Sequence, residues 1–159
     1  MEILYSDKDI YAIIKPVGMD SEHEVPAALE GDIFPVHRLD KNVGGVMVFA
    51  RTSKAAARLS EQFAKHSQGR KYMAVTRGEW TNPAHPVDFL LKGADGNVRV
   101  VSEKTPGAKR AELISTPIST RDGLTLTDVE LMTGRAHQIR VQHQHMGHPL
   151  WGDNRYGGG

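Results

Sequence analysis

Hydrophobic positions along the chain fall into short runs that are typical of β-strands. Three runs are almost continuously apolar, whereas two others alternate apolar with polar positions, as half-buried strands do. The continuous runs are residues 10–16, 45–52 and 71–78, and the alternating runs are residues 96–103 and 124–131. Gly and Pro between the runs mark turns. The pattern therefore predicts that most of the chain forms strands.

Two further segments have the spacing of amphipathic helices. The first spans residues 53 to about 66, with Thr52 or Ser53 as N-cap, and its apolar stripe consists of Ala56, Leu59 and Phe63. The second spans residues from about 136 to 146 and ends at Gly147. Several strands per helix are typical of an α+β domain.

We expect a mixed, mainly antiparallel sheet flanked by a few helices and loops. A chain of 159 residues has the length of one domain with one sizeable core, so residues 1–159 are predicted to form a single domain. No apolar run approaches the roughly 18 residues that span a bilayer. The N-terminal segment also lacks the basic start and apolar stretch of a signal peptide. We therefore expect a cytoplasmic protein that does not associate with membranes.

Cysteine is absent from the sequence, which excludes disulfides, thiolate zinc sites and a cysteine nucleophile. The net charge is only +1, but the charges are unevenly distributed. Residues 20–32 carry five acidic side chains and no Lys or Arg, whereas residues 65–77 carry four basic side chains and no acid. Such segregation either forms a basic face for a polyanion or places the clusters on different faces of the fold.

The segment FPVHRLDKNVGG, residues 34–45, places an aspartate in a short glycine-bearing loop. Asp40 is ionised at neutral pH and is a candidate base, metal ligand or nucleophile. Arg38 lies two residues away and shares a face with Asp40 in an extended backbone. Gly44 and Gly45 permit a tight turn or the close approach of a ligand. The structural alternative is that Asp40 caps a turn and Arg38 neutralises it.

The C-terminal segment, residues 130–157, is dense in hydrogen-bond donors. Arg135, His137, Gln138 and Arg140 fall at the predicted start of the second helix, whose first turn also offers unpaired N–H groups. This set matches the oxygens of a phosphate or a carboxylate. The helix itself has a thin apolar stripe and many polar positions, which makes it a poor purely structural element.

A metal-dependent hydrolase is a further interpretation of this segment because it holds four histidines, His137, His143, His145 and His148. No two of them have the i, i+4 spacing of a metalloprotease pair. We therefore expect no metal. 

The segment GRKYMAV, residues 69–75, combines cations with an aromatic side chain. Lys71 and Tyr72 face opposite sides of the predicted strand. Tyr72 is either a platform on which an unpaired base stacks or a core residue.

Together these segments resemble the RluA family of RNA pseudouridine synthases, and they occur in the order of that family over almost the whole chain. The matching motifs are KPVG (15–18), HRLDKNVGGVMVFART (37–52), KYMAV (71–75) followed by Gly78, and ELMTGRAHQIRVQ (130–142) with GHPLWGDNRYG (147–157).

The resemblance implies that Asp40 is the catalytic residue, that Tyr72 contacts the target base and that Arg135 pairs with Asp40. Arg38 would replace the extruded nucleotide in the RNA helix. The expected RNA contacts are Arg38, His37, Lys71, His137, Gln138 and Arg140. The implied reaction is the isomerisation of specific uridines to pseudouridine in structured rRNA or tRNA, by a protein that we expect to be a monomer.

Uridine isomerisation breaks the N1–C1′ bond and rejoins the uracil through C5, without redox chemistry, so no cofactor is expected. Asp40 suits three routes, namely attack at C1′, attack at C6 or removal of a proton from C2′, and the sequence does not choose among them. Many other enzymes that act at uracil C5 use cysteine, which this chain lacks.

The sequence departs from the family pattern at three points, and the last of them, the early end of the sequence, favours the alternative function. Residues 42–45 are Asn-Val-Gly-Gly where the family more often has a Thr-Ser-Gly-like stretch. No S4-like RNA-binding domain precedes the motifs, so target selection is expected to rest on the catalytic domain. The sequence stops at YGGG, where relatives usually continue with another strand. The alternative is thus an inactive RNA-binding module of the same fold.

Overall fold

A computed structural model of the chain describes residues 1–65 and 69–159. The chain divides into two compact units, Met1–Gln68 and Gly69–Gly159, and each has its own sheet. All strand pairings among the described residues are antiparallel. Two sheets with a few helices confirm the predicted α+β class.

The first unit contains a four-stranded sheet in the order β1–β2–β4–β3. Its elements are β1 (Glu2–Ser6), β2 (Ile10–Lys15), α1 (Glu24–Ala27), β3 (Phe34–Pro35), β4 (Gly45–Ala50) and α2 (Ser53–Ala64). Alternate positions of the two central strands point into the core, as the two-residue period of a strand requires. The apolar residues at these positions are Tyr11, Ile13, Met47 and Phe49, and Ala50 at the end of β4 is also buried.

Helix α2 confirms the predicted cap and apolar stripe. The Thr52 side chain accepts a hydrogen bond from the Ala55 N–H at 3.1 Å, which satisfies one of the unpaired donors at the helix start. The stripe residues are all half-buried, whereas most of their neighbours are exposed. The helix ends at Ala64, and His66, the predicted end, lies outside the described residues.

The second unit contains a five-stranded sheet in the order β5–β9–β8–β6–β7. Its elements are β5 (Arg70–Arg77), β6 (Val87–Lys92), β7 (Val98–Val101), β8 (Lys109–Arg121), β9 (Leu124–Leu131), α3 (Gln138–His145) and a short 3₁₀ helix (Asn154–Tyr156). Val141 of α3 packs with Leu90, Val98, Ala111 and Tyr156 in one buried cluster. Within the described residues, every helix is too short or too polar to cross a membrane.

The five predicted strands are all present, and strand β8 is the largest element that the pattern missed. Pro117 lies inside β8, and proline disfavours an interior strand position. The structure accommodates it with a shift in the β8–β9 register between Pro117 and Ser119. Asp122 and Gly123, which both have positive φ, then form the two-residue turn into β9, as Asp-Gly does in hairpins.

The start of α3 corrects the sequence analysis. The helix begins at Gln138 instead of about Ala136. His137, immediately before it, has φ 53° and ψ 21°, and a left-handed residue cannot continue a right-handed helix. Arg135 and His137 therefore lie on the turn that leads into the helix and not on its first turn.

Candidate functional site

In the first unit, Asp40 lies on a short turn that is anchored at both sides. The Asp40 carbonyl accepts a hydrogen bond from the Val43 N–H at 2.9 Å, and the Asp40 residue is half-buried. Leu39, just before it, is 8% exposed. Ser21 Oγ donates to the Leu39 carbonyl at 2.9 Å and accepts from the Leu39 N–H at 3.3 Å. The backbone that carries Asp40 is thus fixed by a buried side chain.

Lys15 provides the second anchor of this turn. Its side chain is completely buried, and Nζ donates to the carbonyls of Pro16 (2.9 Å), Met19 (2.8 Å) and Lys41 (3.3 Å). Burial lowers the pKa of the Lys15 ammonium, and the nearby Asp20 and Asp40 carboxylates oppose that shift. Lys15 therefore ties the turn after β2 to the residue that follows Asp40.

The two glycines after the turn have distinct structural roles. Gly45 has φ 148°, a backbone conformation that residues other than glycine rarely adopt. A Cβ at Gly44 would lie 3.3 Å from the Lys15 carbonyl oxygen. The glycine pair thus lets the Asp40 turn pack against the end of β2. The approach of RNA to these glycines stays a prediction.

His37 and Arg38 are held differently from each other. His37 Nε2 accepts a hydrogen bond from the Val48 N–H at 3.0 Å, and its ring stacks on Phe63 with centroids 4.5 Å apart. The Arg38 side chain is 64% exposed and forms an ion pair with Glu22 at 3.1 Å. The structure therefore pairs Arg38 with Glu22, which argues against Arg38 as the neutralising partner of Asp40. Contacts of His37 and Arg38 with RNA stay predictions.

In the second unit, Lys71 and Tyr72 follow the predicted alternation on β5. Lys71 is exposed, whereas Tyr72 is half-buried and packs against the cluster formed by Ala74, Leu113 and Val129. One face of Tyr72 thus contributes to the core, so the two interpretations of this residue are compatible. Its contact with the target base stays a prediction.

Arg135 is exposed on the turn between β9 and α3. Its Nε donates to the Arg110 carbonyl at 2.8 Å, and its backbone N–H donates to Gln138 Oε1 at 2.9 Å. Within Gly69–Gly159, the terminal guanidinium nitrogens of Arg135 make no hydrogen bond. The side chain is therefore fixed at its base while its charged end is available to a ligand.

His137 and Arg140 contact the C-terminal 3₁₀ helix. His137 Nδ1 lies 2.6 Å from the Tyr156 hydroxyl, which also accepts a hydrogen bond from the Val98 N–H at 3.0 Å. Arg140 binds the Asp153 carboxylate through Nε (2.7 Å) and Nη2 (2.9 Å). Burial raises the pKa of Asp153, but the hydrogen bonds and charge of Arg140 outweigh it and hold this pKa below its usual range.

Three polar residues of α3 are buried rather than available to a phosphate. Gln138, Gln142 and His143 are each at most 2% exposed. His143 Nδ1 donates to the Ile139 carbonyl at 2.8 Å, so its Nε2 accepts from the Ser115 hydroxyl at 2.9 Å. The helix is therefore a structural element held by buried hydrogen bonds, which corrects the view that its polarity makes it a poor one. A direct contact of Gln138 with RNA stays a prediction.

The histidines of this segment do not assemble into a metal site in the part of the chain that the structure describes. Nowhere in residues 1–65 and 69–159 do three or more His, Asp or Glu side chains converge as metal ligands would. The hydrogen bonds of His137, His143 and His148 go instead to protein hydroxyls and carbonyls.

His143 makes stability depend on pH. Burial lowers its pKa from 6.5 to about 4. At pH values between these two pKa values, His143 is protonated in the unfolded chain and neutral in the folded protein. We expect the free energy of unfolding to fall by about 2 kcal/mol through this residue between about pH 7 and about pH 5. Urea unfolding at both pH values measures it. The variant His143→Gln, which has no titratable group, should lose this part of the decrease; an unchanged decrease would contradict the assignment.

Several residues that hold the site lie outside the candidate residues that the sequence predicts. Lys15, Ser21, Thr133 and Tyr156 bond to the turns that carry Asp40, Arg135 and His137. Lys15 had a detectable signal, since it lies two residues after buried Ile13 and so faces the same side of β2. The other three residues contact partners far apart in the chain, Ser21 with Leu39, Thr133 with Glu112 and Tyr156 with His137, and their hydroxyl groups have no local pattern.

Comparison with known proteins identifies the family. The family model described as RNA pseudouridylate synthase matches residues 9–145. tRNA pseudouridine synthase C of Vibrio cholerae is 32% identical over 188 aligned residues, which cover 100% of this chain and 75% of that protein. Ribosomal large subunit pseudouridine synthase D of Zymomonas mobilis is 33% identical, over 99% of this chain and 56% of that protein.

Solved structures share the fold. Human RNA Pseudouridylate Synthase Domain Containing 1 superposes with a TM-score of 0.84 at 20% identity, over 98% of this chain and 69% of that one. Human RNA Pseudouridylate Synthase Domain Containing 4 gives a TM-score of 0.80 at 24% identity, over 98% and 68%. With the motifs of the sequence and the match to the family model, these findings show that the chain belongs to the RluA family of RNA pseudouridine synthases, the enzymes that isomerise uridine in RNA.

Proposed function

We propose that this chain converts specific uridines of structured tRNA or rRNA to pseudouridine, with Asp40 as the catalytic residue. The observation that carries the assignment is the Asp40 turn, whose backbone is fixed by Ser21 and Lys15 while Asp40 itself is half-buried. Preorganisation of this kind places a reacting group at low entropic cost. Relatives named for tRNA and for rRNA both match the chain, which supports the two substrate classes.

The proposed reaction needs only groups that the chain supplies. The N1–C1′ bond breaks and leaves its electron pair on N1, the uracil turns, C5 bonds to C1′ and releases its hydrogen as a proton, and N1 takes up a proton. Atoms and electrons balance without an oxidant or reductant, so we propose an enzyme without a cofactor or a metal. The carboxylate of Asp40 acts as nucleophile or base.

Tyr72 and Arg135 complete the proposed catalytic set. Arg135 is the proposed cationic partner of Asp40 in the reacting complex, where a positive charge favours the ionised carboxylate. Its guanidinium fork is planar, so a lysine would not replace it. Tyr72 is the proposed stacking surface for the target base once that base has left the RNA helix, a step that requires a few kcal/mol.

Two exposed cations bind the RNA backbone in this proposal. Arg38 and Lys71 are both exposed and suit contacts with phosphates, which make affinity fall as salt rises. His37, His137 and Arg140 are bound to neighbouring protein groups and support the loops from which such contacts are made. We further propose that residues 1–159 act as one catalytic domain, in a monomer located in the cytoplasm.

The test is release of tritium from RNA that carries uridine labelled at C5, because bond formation at C5 expels that hydrogen. The RNA is extracted from cells that lack this gene, so that its target uridines are unmodified. Release by the purified chain, with tRNA and rRNA assayed separately, supports the proposal. Salt-sensitive RNA binding without release from either pool would instead support the inactive RNA-binding module.

We expect Tyr72→Ala to lower turnover more than RNA affinity. Stacking contributes about 1–3 kcal/mol per base, so the loss in turnover should be roughly 5- to 150-fold, while the phosphate contacts remain. Tyr72→Phe is the matched control because it retains the ring and its packing against Val129. Tritium release and filter binding measure the two quantities. Equal losses of turnover and affinity in Tyr72→Ala would remove Tyr72 from the base pocket.

A further inference from the structure

A buried amide lies directly behind the backbone of Arg135. Gln138, the first residue of α3, is 2% exposed. Its Oε1 accepts hydrogen bonds from the Arg135 N–H at 2.9 Å and from the Thr133 hydroxyl at 2.8 Å. Its Nε2 donates to the Glu112 carbonyl on β8 at 3.0 Å. One side chain thus ties the turn that carries Arg135 to the central strand of the five-stranded sheet.

The same turn is held at further points of β8. The Gln138 N–H donates to the Arg135 carbonyl at 3.2 Å, so Gln138 binds both peptide groups of Arg135. Thr133 Oγ1 accepts a hydrogen bond from the Glu112 N–H at 2.9 Å and donates one to Gln138 Oε1. The Arg135 Nε bond to the Arg110 carbonyl fixes the side chain to the same strand. Fully satisfied buried networks of this kind rigidify what they hold.

The backbone between Arg135 and Gln138 requires such support. His137 has a positive φ, which is unfavourable for a residue with a side chain and persists only where surrounding contacts impose it. The Tyr156 hydroxyl lies 2.6 Å from Nδ1 of the His137 ring. Gln138 binds the backbone of Arg135, on the N-terminal side of His137. The strained turn is therefore specified by contacts and not by local preference.

We propose that Gln138 is a positioning residue for uridine isomerisation, which acts by holding the Arg135 backbone and thereby directing its guanidinium. The inference rests on the proposed catalytic role of Arg135. It assigns Gln138 a role that does not depend on a contact with RNA, because both ends of the Gln138 amide are bonded inside the protein. The amide of Gln138 supplies both functions needed here, an acceptor for Arg135 and a donor to Glu112, and Asn has the same amide on a shorter side chain.

The chain offers a matched control one helical turn later. Gln142 is also completely buried, and its Nε2 donates to Asp88 Oδ2 at 2.8 Å, but none of its hydrogen bonds reaches the Arg135 turn. Gln138→Met and Gln142→Met therefore each remove the hydrogen bonds of one buried amide from the same helix. Both variants should lose stability, and only the first should lose catalysis.

The experiment measures tritium release from C5-labelled RNA by folded protein, well below each melting temperature. We expect Gln138→Met to lower kcat about 10- to 100-fold with KM changed less than about threefold, and Gln142→Met to change kcat less than about twofold. Gln138→Glu retains the acceptor for Arg135 and should fall between Gln138→Met and the unaltered protein. If Gln138→Met does not fold, the kcat of Gln138→Glu tests the positioning role in its place.

A double variant separates this inference from the function on which it rests. If Gln138 acts through Arg135, Gln138→Met should add no further loss to Arg135→Lys. Equal kcat losses for Gln138→Met and Gln142→Met, or additive losses with Arg135→Lys, would overturn the positioning role while leaving Arg135 catalytic. Full turnover by Arg135→Lys would overturn the proposed role of Arg135 itself, and the positioning role with it.

Discussion

Asp40→Asn is expected to abolish pseudouridine formation, with tritium release reduced by about a thousandfold or more. The amide has the shape of the carboxylate but is neither a nucleophile nor a base at neutral pH. The fold should be unaffected, because the turn is held by backbone bonds of Asp40 and Leu39 to Val43 and Ser21. RNA affinity should be equal or slightly higher, since the substitution removes a negative charge.

Asp32→Asn is the control for this substitution. It makes the same change of charge in the same unit, at an exposed position, and should retain turnover within about twofold. Thermal melting and filter binding accompany the tritium assay. If Asp40→Asn unfolds, Asp40 is a structural cap; if it folds and still releases tritium, another residue performs the chemistry.

Lys15→Met should produce the largest loss of stability. It deletes the ammonium group that donates to three backbone carbonyls and leaves these part-buried carbonyls without this partner. Hydrogen bonds to charged groups contribute about 1.5–3 kcal/mol each, and losses from one site are not additive. We expect the free energy of unfolding to fall by about 3–5 kcal/mol, as when one partner of a buried charged pair is removed.

Lys41→Met is the matched control because Lys41 belongs to the same turn. Its side chain is 59% exposed and lies 3.6 Å from Glu24 in a surface ion pair, which contributes at most about 1 kcal/mol. Urea denaturation of both variants measures the difference. Similar midpoints for Lys15→Met and the unaltered protein would show that the buried ammonium is not an anchor of the Asp40 turn.

The local sequence pattern predicted an element correctly where one physical cause decides its structure. The five predicted strands have the two-residue period of a half-buried sheet or a continuous apolar run, and Thr52 has the side chain that caps a helix. Strand β8 was missed because Pro117 breaks the pattern, although a register shift beside Pro117 allows pairing to continue. The Asp122-Gly123 pair was an available signal for the hairpin that contains it.

For the candidate site, too, some features were predictable from the sequence and others depended on tertiary contacts. The order of motifs along the sequence was enough to indicate the RluA family, and the family model and relatives confirm that membership. The roles of Asp40, Tyr72 and Arg135 stay predictions. The predicted helix start was wrong because the left-handed His137 depends on the contact of its ring with Tyr156 and on the bond of Gln138 to the Arg135 backbone, which no local pattern contains.

The sequence by itself thus determined the fold class and the family, because hydrophobic periodicity and motif order depend only on the order of residues along the chain. Only the tertiary structure decided which polar residues are buried. Lys15 and Gln138 look like surface or ligand-binding residues in sequence, yet they are held inside by backbone carbonyls of Lys41 and Glu112. The physical reason is that a buried polar group requires a partner, and the partner is supplied by strands and turns distant in the sequence.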